Sequence, residues 1–211
     1  MTGAIVVDIQ GDFTQLMMGS LAVPGTNLDY LHKISKAIDQ IKGLGIPLFA
    51  SQDWHPADHI SFFTNHPGKK MYDKIALHGK DQILWPPHCV QGTPGADLLL
   101  DQNLFKAVIQ KGKDPLYDSY SCFQDDGNHE TELDGILKNQ GIKKLIIFGI
   151  ATDYCVRWTA MDGLARGYKM VVIKSLCRGV DPLTTAQALE EIKKKGAVIL
   201  EDLETFIALQ T

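Results

Sequence analysis

Short apolar runs rich in β-branched residues alternate along the chain with stretches in which apolar residues recur at helical spacing. Between residues 28 and 44, for example, leucine or isoleucine stands at positions 28, 31, 34, 38 and 41, and Gly43 and Gly45 end the pattern. Buried strands that alternate with amphipathic helices are typical of a parallel sheet covered by helices. The pattern therefore predicts an α/β fold.

The predicted strands are residues 4–7, 47–51, 105–109, 144–150, 170–174 and 197–200. The predicted helices are residues 28–44, 132–140, 153–166 and 184–195. Residues 54–103 depart from the alternation, because they are rich in proline, glycine and histidine and only weakly periodic. A loop region of that length inside a compact domain is usually functional. We expect one domain over residues 1–211, with residues 54–103 as a loop-rich insertion that forms part of the site.

The composition and charge of the chain limit the classes of molecule that it could bind. The chain has 211 residues, 45% of them hydrophobic, and a net charge of −4 with acids and bases well mixed. That charge gives no electrostatic support for a nucleic-acid or anionic-membrane partner, and no run of about 18 apolar residues is available to span a bilayer. The N-terminal residues read as a first strand rather than a signal peptide. The four cysteines form no CxxC pair, which indicates a reduced, cytoplasmic protein. The sequence leaves a homo-oligomer open.

Chemically active side chains follow four of the predicted strands. Asp8 ends the first strand, Asp53 follows the second, Lys111 follows the third, and the fourth leads to Cys155. In open parallel sheets, ligands bind beyond the carboxyl ends of the strands. We therefore expect these four residues to face one crevice.

Cys155 is a candidate nucleophile because it lies where the predicted helix 153–166 begins. Unpaired N–H groups and the helix dipole favour a thiolate there, so we expect a lowered thiol pKa. Thr152 and Asp153 are candidate N-cap residues. Asp8 would accept the thiol proton and Lys111 would supply a positive charge. Taken singly, Cys155 also reads as a buried apolar residue, Asp8 as a turn residue and Lys111 as a surface lysine.

The insertion carries candidate metal ligands. Asp53 and His55 leave the same strand end, and His88 follows two prolines within the insertion. One carboxylate and two imidazoles suit zinc, iron or manganese with open positions for water or substrate. His59 and Ser61 are further candidates for the metal shell. The alternative is that these histidines cap loops and pack against tryptophan.

Aromatic residues in the loops after the strands could enclose a flat ring. The candidates are Phe13, Trp85, Tyr120 and Phe123. Core packing is the alternative, most of all for Phe123.

Five segments together resemble a known family: DIQGDF (8–13), QDWHPADHISF (52–62), WPPHCVQGTPGA (85–96), QKGKDPLYDSYSCF (110–123) and GIATDYCV (149–156). In this order, and over essentially the whole chain, they resemble the nicotinamidases of the isochorismatase-like cysteine hydrolase superfamily. The resemblance implies a Rossmann-like three-layer fold with a central, six-stranded, mainly parallel sheet flanked by helices, and a long loop insertion that carries metal ligands.

The resemblance also assigns roles to residues. It implies an Asp8–Lys111–Cys155 triad, one divalent ion (zinc above iron or manganese) on Asp53, His55 and His88, and a fourth ligand left open between His59 and Ser61. It further implies a cis peptide before Ala151. The N–H groups of Ala151 and Cys155 would then face a developing oxyanion. Phe13, Trp85 and Tyr120 are the expected substrate-binding aromatics.

The expected function is that of a metal-dependent cysteine amidohydrolase, which converts nicotinamide to nicotinate and ammonia through a Cys155 thioester in NAD salvage. Within the enzyme class, a metal-bound hydroxide as nucleophile is the rival mechanism. The other hypotheses are an amidohydrolase of the same superfamily acting on an N-carbamoyl or related amide, a catalytically silent metal- or ligand-binding protein, and a redox-sensing thiol protein.

Overall fold

The computed structural model describes residues 1–77 and 79–209 and contains the predicted parallel sheet. The strands are β1 (Thr2–Val7), β2 (Leu48–Asp53), β3 (Lys74–Leu77), β4 (Lys80–Ile83), β5 (Ala107–Lys111), β6 (Lys144–Ile150), β7 (Lys169–Arg178) and β8 (Val198–Leu200). Six of them form the main sheet in the order β5-β2-β1-β6-β7-β8. Each neighbouring pair is parallel, which confirms the predicted α/β fold.

The helices that flank the sheet are α1 (Leu28–Gly43), α2 (Leu133–Asn139), α3 (Arg157–Ala165), α4 (Pro182–Lys194) and α5 (Leu203–Ala208). Asn27 is the N-cap of helix α1, and its side chain accepts a hydrogen bond from the Tyr30 amide. Its apolar stripe, including Ile34, Ile38 and Ile41, is buried in the core, as the helical spacing predicts. Within residues 1–77 and 79–209, none of the helices has the length and apolar character needed to cross a membrane.

Two strands continue beyond their predicted ends at residues 51 and 109. Strand β2 reaches Asp53 and β5 reaches Lys111, and these two residues are register partners. Their polar side chains do not fit the apolar pattern from which the strand ends were predicted, yet both are buried. The strands therefore carry the site residues within the sheet rather than in the loops that follow it.

The insertion is more regular than predicted. Strands β3 and β4 pair antiparallel within it as a separate two-stranded sheet. Helix α5 was also not predicted; its N-cap is Asp202, whose carboxylate accepts a hydrogen bond from the Thr205 amide. Both elements are short, and short apolar patterns are weak signals.

The strand order reverses between β1 and β6, which is where open α/β sheets bind ligands. At this point Val7 pairs with Gly149, whose φ is 133°. A Cβ atom on Gly149 would lie 2.1 Å from the Val7 carbonyl oxygen. Only glycine therefore allows β1 and β6 to approach closely just before their site residues.

We expect Gly149→Ala to lower the free energy of unfolding, because the added methyl group meets backbone in a conformation that disfavours L side chains. Gly135→Ala is the control: it lies within α2, and an added Cβ meets nothing within 4 Å. A helical Gly→Ala change should raise the unfolding free energy by about 0.4–1 kcal/mol, and the Gly149 change should lower it by more than that. Urea unfolding measures both, and wild-type stability in Gly149→Ala would contradict the argument.

Candidate active site

Lys111 lies at the centre of a fully buried cluster. Its Nζ is 3.0 Å from Asp8 Oδ2 and contacts Asp53 Oδ1. The same Nζ is 3.5 Å from Cys155 Sγ and donates to the Ser119 carbonyl at 3.1 Å. The structure thus brings Asp8 and Cys155 of the predicted triad into contact with the ammonium group of the third member, Lys111.

The charges of this cluster depend on one another. Burial alone would lower the pKa of Lys111, but the Asp53 and Asp8 carboxylates outweigh burial and raise it well above its usual value. Burial raises the pKa of Asp8 by more than Lys111 lowers it. The Ser51 hydroxyl donates to Asp8 Oδ1 at 2.6 Å. Lys111 is therefore charged, and Asp8 accepts a proton more readily than an exposed aspartate would.

Cys155 lies in a π-helical turn, Thr152–Val156, directly before α3. The peptide bond between Ile150 and Ala151 is cis, as the family resemblance implies. The expected lowering of the thiol pKa is wrong for this structure: burial raises the pKa of Cys155 well above its usual value, and Lys111 offsets this only in part. The thiol is protonated at rest and needs a base to become a nucleophile.

The predicted N-cap role of Thr152 and Asp153 is also wrong. The N-cap position is Ala151, and no side chain caps the turn. The Asp153 carboxylate instead accepts three hydrogen bonds from the start of α4 and the residues before it: Val180 N at 3.0 Å, Asp181 N at 3.2 Å and Thr184 Oγ1 at 2.6 Å. Asp153 therefore ties the turn that holds Cys155 to helix α4.

Three buried side chains form a candidate metal site beside this cluster. Ligand atoms of Asp53, His55 and His88 lie within 4.8 Å of one another. The Nε2 atoms of His55 and His88 are 3.5 and 4.0 Å from Asp53 Oδ2. Their Nδ1 atoms are hydrogen-bonded to the carbonyls of Gly112 (3.0 Å) and Pro86 (2.7 Å). Each Nδ1–H therefore donates to a carbonyl and leaves Nε2 free to bind a metal, so the residues fit a divalent ion such as zinc.

The protonation states of Asp53 and His88 suit a cation. Burial lowers the pKa of His88 to about 4. Burial opposes the ionisation of Asp53, but Lys111 and the two imidazoles outweigh it and hold the pKa below its usual value. For His55, the charge of Asp53 outweighs burial and raises the pKa, so a metal would have to displace a proton from this imidazole. Near neutral pH, Asp53 is thus ionised and His88 neutral, the forms in which both bind metals.

His59 and Ser61 lie next to this group. The His59 ring centroid is 4.3 Å from that of His55. Its Nδ1 is 2.7 Å from Ser61 Oγ, and its Nε2 is 3.2 Å from the Tyr117 carbonyl. Burial lowers the pKa of His59 to about 4. Both nitrogens are engaged in this arrangement, and a fourth metal ligand at His59 or Ser61 stays a prediction.

One cavity joins the thiol to the candidate metal site. Its walls include Asp53, His55, His88, Ala151 and Cys155, together with the aromatic side chains of Phe13, Trp85, Tyr120 and Tyr154. Tyr154 was not among the predicted aromatic residues, although it directly precedes Cys155; its ring centroid lies 5.0 Å from that of Trp85. Phe123 lies in the core instead, where its ring stacks on Tyr168.

Comparisons with known proteins agree with the geometry. Residues 2–202 match the Isochorismatase domain. The chain is 44% identical over 202 residues to the nicotinamidase of Escherichia coli (strain K12), with 92% of each chain covered. It is similar to the solved structure of a nicotinamidase/pyrazinamidase from Acinetobacter baumanii (TM-score 0.87, 38% identity, 97% of each chain). It is also similar to that of a pyrazinamidase from Pyrococcus horikoshii in complex with zinc (TM-score 0.79, 36% identity, 94% of this chain and 98% of that one).

We expect alanine at Asp53, His55 or His88 to lower the content of divalent metal in the purified protein, because each change removes one of few ligands. His129→Ala is the control, since that imidazole is exposed and bonded to Asp125. Elemental analysis measures metal per chain, and circular dichroism checks the fold. Full metal content in all three variants would mean that the ion, if bound, lies elsewhere.

Proposed function

The chain belongs to the isochorismatase family, and we propose that it hydrolyses nicotinamide to nicotinate and ammonia, a step of NAD salvage. Its identity to a nicotinamidase, 44% over 202 residues, supports this substrate. The observation that carries the proposal is the cavity itself, which is lined by Cys155 and also by Asp53, His55 and His88. A small ring that carries both an amide and a ring nitrogen offers one group to the thiol and one to the candidate metal site.

The remaining walls suit a flat aromatic ring. Trp85 and Tyr154 meet edge to face, and the Trp85 indole N–H donates to the Tyr120 hydroxyl at 2.9 Å. The Phe13 ring lies 5.5 Å from that of His88. Because these side chains hold one another in place, the ring would enter a preformed slot at little cost in ordering.

In the first half of the reaction, Asp8 takes the proton of Cys155, and the thiolate attacks the carboxamide carbon. The carbonyl oxygen becomes an oxyanion, which the N–H groups of Ala151 and Cys155 stabilise. Asp8 then gives its proton to the departing nitrogen, so ammonia leaves and a Cys155 thioester remains. The raised pKa of Asp8 suits a group that must both accept and donate this proton.

In the second half, Asp8 accepts a proton from water as the water attacks the thioester carbon. The C–S bond then breaks, Asp8 returns the proton to the Cys155 sulfur, and the product leaves as nicotinate after losing its acid proton to solvent. Lys111 stays charged throughout and offsets the negative charge that develops on Cys155 or Asp8, both of which it contacts. It acts through its field rather than as a proton donor.

Asp53, His55 and His88 would hold the divalent ion, for which zinc is the proposed identity. An ion bound there would supply a Lewis acid that recognises the ring nitrogen and orients the ring. Asp53 is shared between this site and Lys111, so the position of the ring and the charge at the thiol depend on one residue.

The substrate proposal predicts ammonia release from nicotinamide at a rate well above that from an N-carbamoyl amide, with no turnover of isochorismate. Benzamide, which has the amide but lacks the ring nitrogen, should be a poor substrate, and removal of metal should change its rate little. The measurement is coupled ammonia detection for the amides and loss of substrate for isochorismate, which contains no nitrogen, with metal-replete and chelator-treated protein. A preference for the carbamoyl substrate would assign a different amidohydrolase activity, and silence on all substrates would support a binding protein.

The mechanism predicts that Cys155→Ala abolishes turnover, because no other side chain replaces the thiol. Cys177→Ala is the control; that thiol is also buried but bonds to the Ile173 carbonyl at 3.3 Å, away from the cavity. Rapid quenching of the wild-type protein with nicotinamide, followed by mass spectrometry, should show a nicotinoyl adduct on Cys155. Residual wild-type turnover in Cys155→Ala would exclude covalent catalysis by this residue.

A further inference from the structure

Gln10 is a completely buried amide with three hydrogen bonds. Its Oε1 accepts from the Asp53 backbone N–H at 2.8 Å. Its Nε2 donates to the Asp53 carbonyl at 2.8 Å and to the Ala96 carbonyl at 2.8 Å. One side chain therefore binds both backbone polar groups of Asp53 and joins them to the insertion.

The path of β1 explains why Asp53 needs this partner. Strands β1 and β2 pair in register as far as Val6 and Ala50. The chain then turns at Asp8, whose φ is 49°, while β2 continues to Asp53. A primary amide carries the same donor and acceptor as a peptide group. The Gln10 side chain thus gives Asp53 the pair of hydrogen bonds that a continued β1 would have given.

We propose that Gln10 is a positioning residue for Asp53, and through it for the metal site and Lys111 together. This inference rests on the proposed function for its metal. Asp53 directs Oδ1 to Lys111 and Oδ2 to His55 and His88. Such a division requires a fixed peptide, because a rotation that improves one contact worsens the other.

The chemistry of the amide makes the role specific. Methionine has a similar length and shape but would leave the N–H and carbonyl of Asp53 without their partner in a buried site. Glutamate would keep an acceptor for the N–H and lose the donor to both carbonyls. Replacing a residue that orients a metal ligand in this way typically lowers metal affinity by about 10- to 100-fold.

The test compares Gln10→Met with Gln52→Met. Gln52 is also buried, and its Nε2 donates to the same Ala96 carbonyl at 2.9 Å, but it makes no side-chain bond to Asp53 within the described chain. Zinc affinity is measured by competition with a chromophoric chelator, and stability by thermal unfolding of the metal-free protein. We expect Gln10→Met to weaken zinc binding by about 10- to 100-fold and Gln52→Met to leave it near wild type, with similar losses of stability in both.

Zinc affinity in Gln10→Met equal to that in Gln52→Met would overturn the inference while the proposed function stands. A wild-type protein that bound no zinc would overturn the metal part of the proposed function and the inference with it. If Gln10→Met does not fold, Gln10→Glu replaces it in the test, because the glutamate side chain can still accept the hydrogen bond from the Asp53 N–H. Weaker zinc binding in Gln10→Glu than in Gln52→Met supports the inference, and equal zinc binding rejects it.

Discussion

The buried contact between Lys111 and Asp53 is the interaction on which the rest of the site depends. Both side chains are almost fully inaccessible, and the two residues are register partners at the ends of β5 and β2. An ammonium group out of water is very costly unless it is paired and hydrogen-bonded. Lys111 meets that condition with two carboxylates and the Ser119 carbonyl. The parallel pairing of β5 and β2 therefore brings Lys111 and Asp53 together. The buried ammonium group of Lys111 in turn requires both carboxylates, those of Asp8 and Asp53, as its partners.

This arrangement leaves one negative charge in excess, since Asp8 and Asp53 face a single lysine. The excess accounts for two properties that a pairwise view would miss. Together with burial, it raises the pKa of Asp8 and that of Cys155 despite the ammonium group beside them. It also makes the site favourable for a cation next to Asp53, where two imidazoles turn their Nε2 atoms towards the carboxylate. Burial first and the excess charge second therefore favour a proton on Asp8 and Cys155, and the same excess suits a cation next to Asp53.

Apolar periodicity predicted the sheet and the convergence of Asp8, Asp53, Lys111 and Cys155, because strand ends in a parallel sheet meet at one edge. It could not predict partners far apart in the chain. Aspartate is a common N-cap residue, but the Asp153 carboxylate instead accepts hydrogen bonds from residues 180–184. The predicted lowering of the Cys155 pKa was wrong for a similar reason. A helix start favours the thiolate, but the complete burial of Cys155 outweighs that effect, and burial depends on every surrounding element. The strands β3 and β4, which pair antiparallel, are too short for their apolar pattern to be distinctive.

A protonated resting thiol also bears on the redox hypothesis. Oxidants attack thiolates that are exposed and have a low pKa. All four cysteines are buried, and burial raises the pKa of Cys89, Cys122, Cys155 and Cys177 alike. Cys155 differs from the others in lining the cavity, beside a carboxyl group able to take its proton. Because burial raises the pKa of the Cys155 thiol and keeps it from solvent, both properties disfavour the redox-sensing hypothesis, and in the proposed reaction the same burial makes a base such as Asp8 necessary.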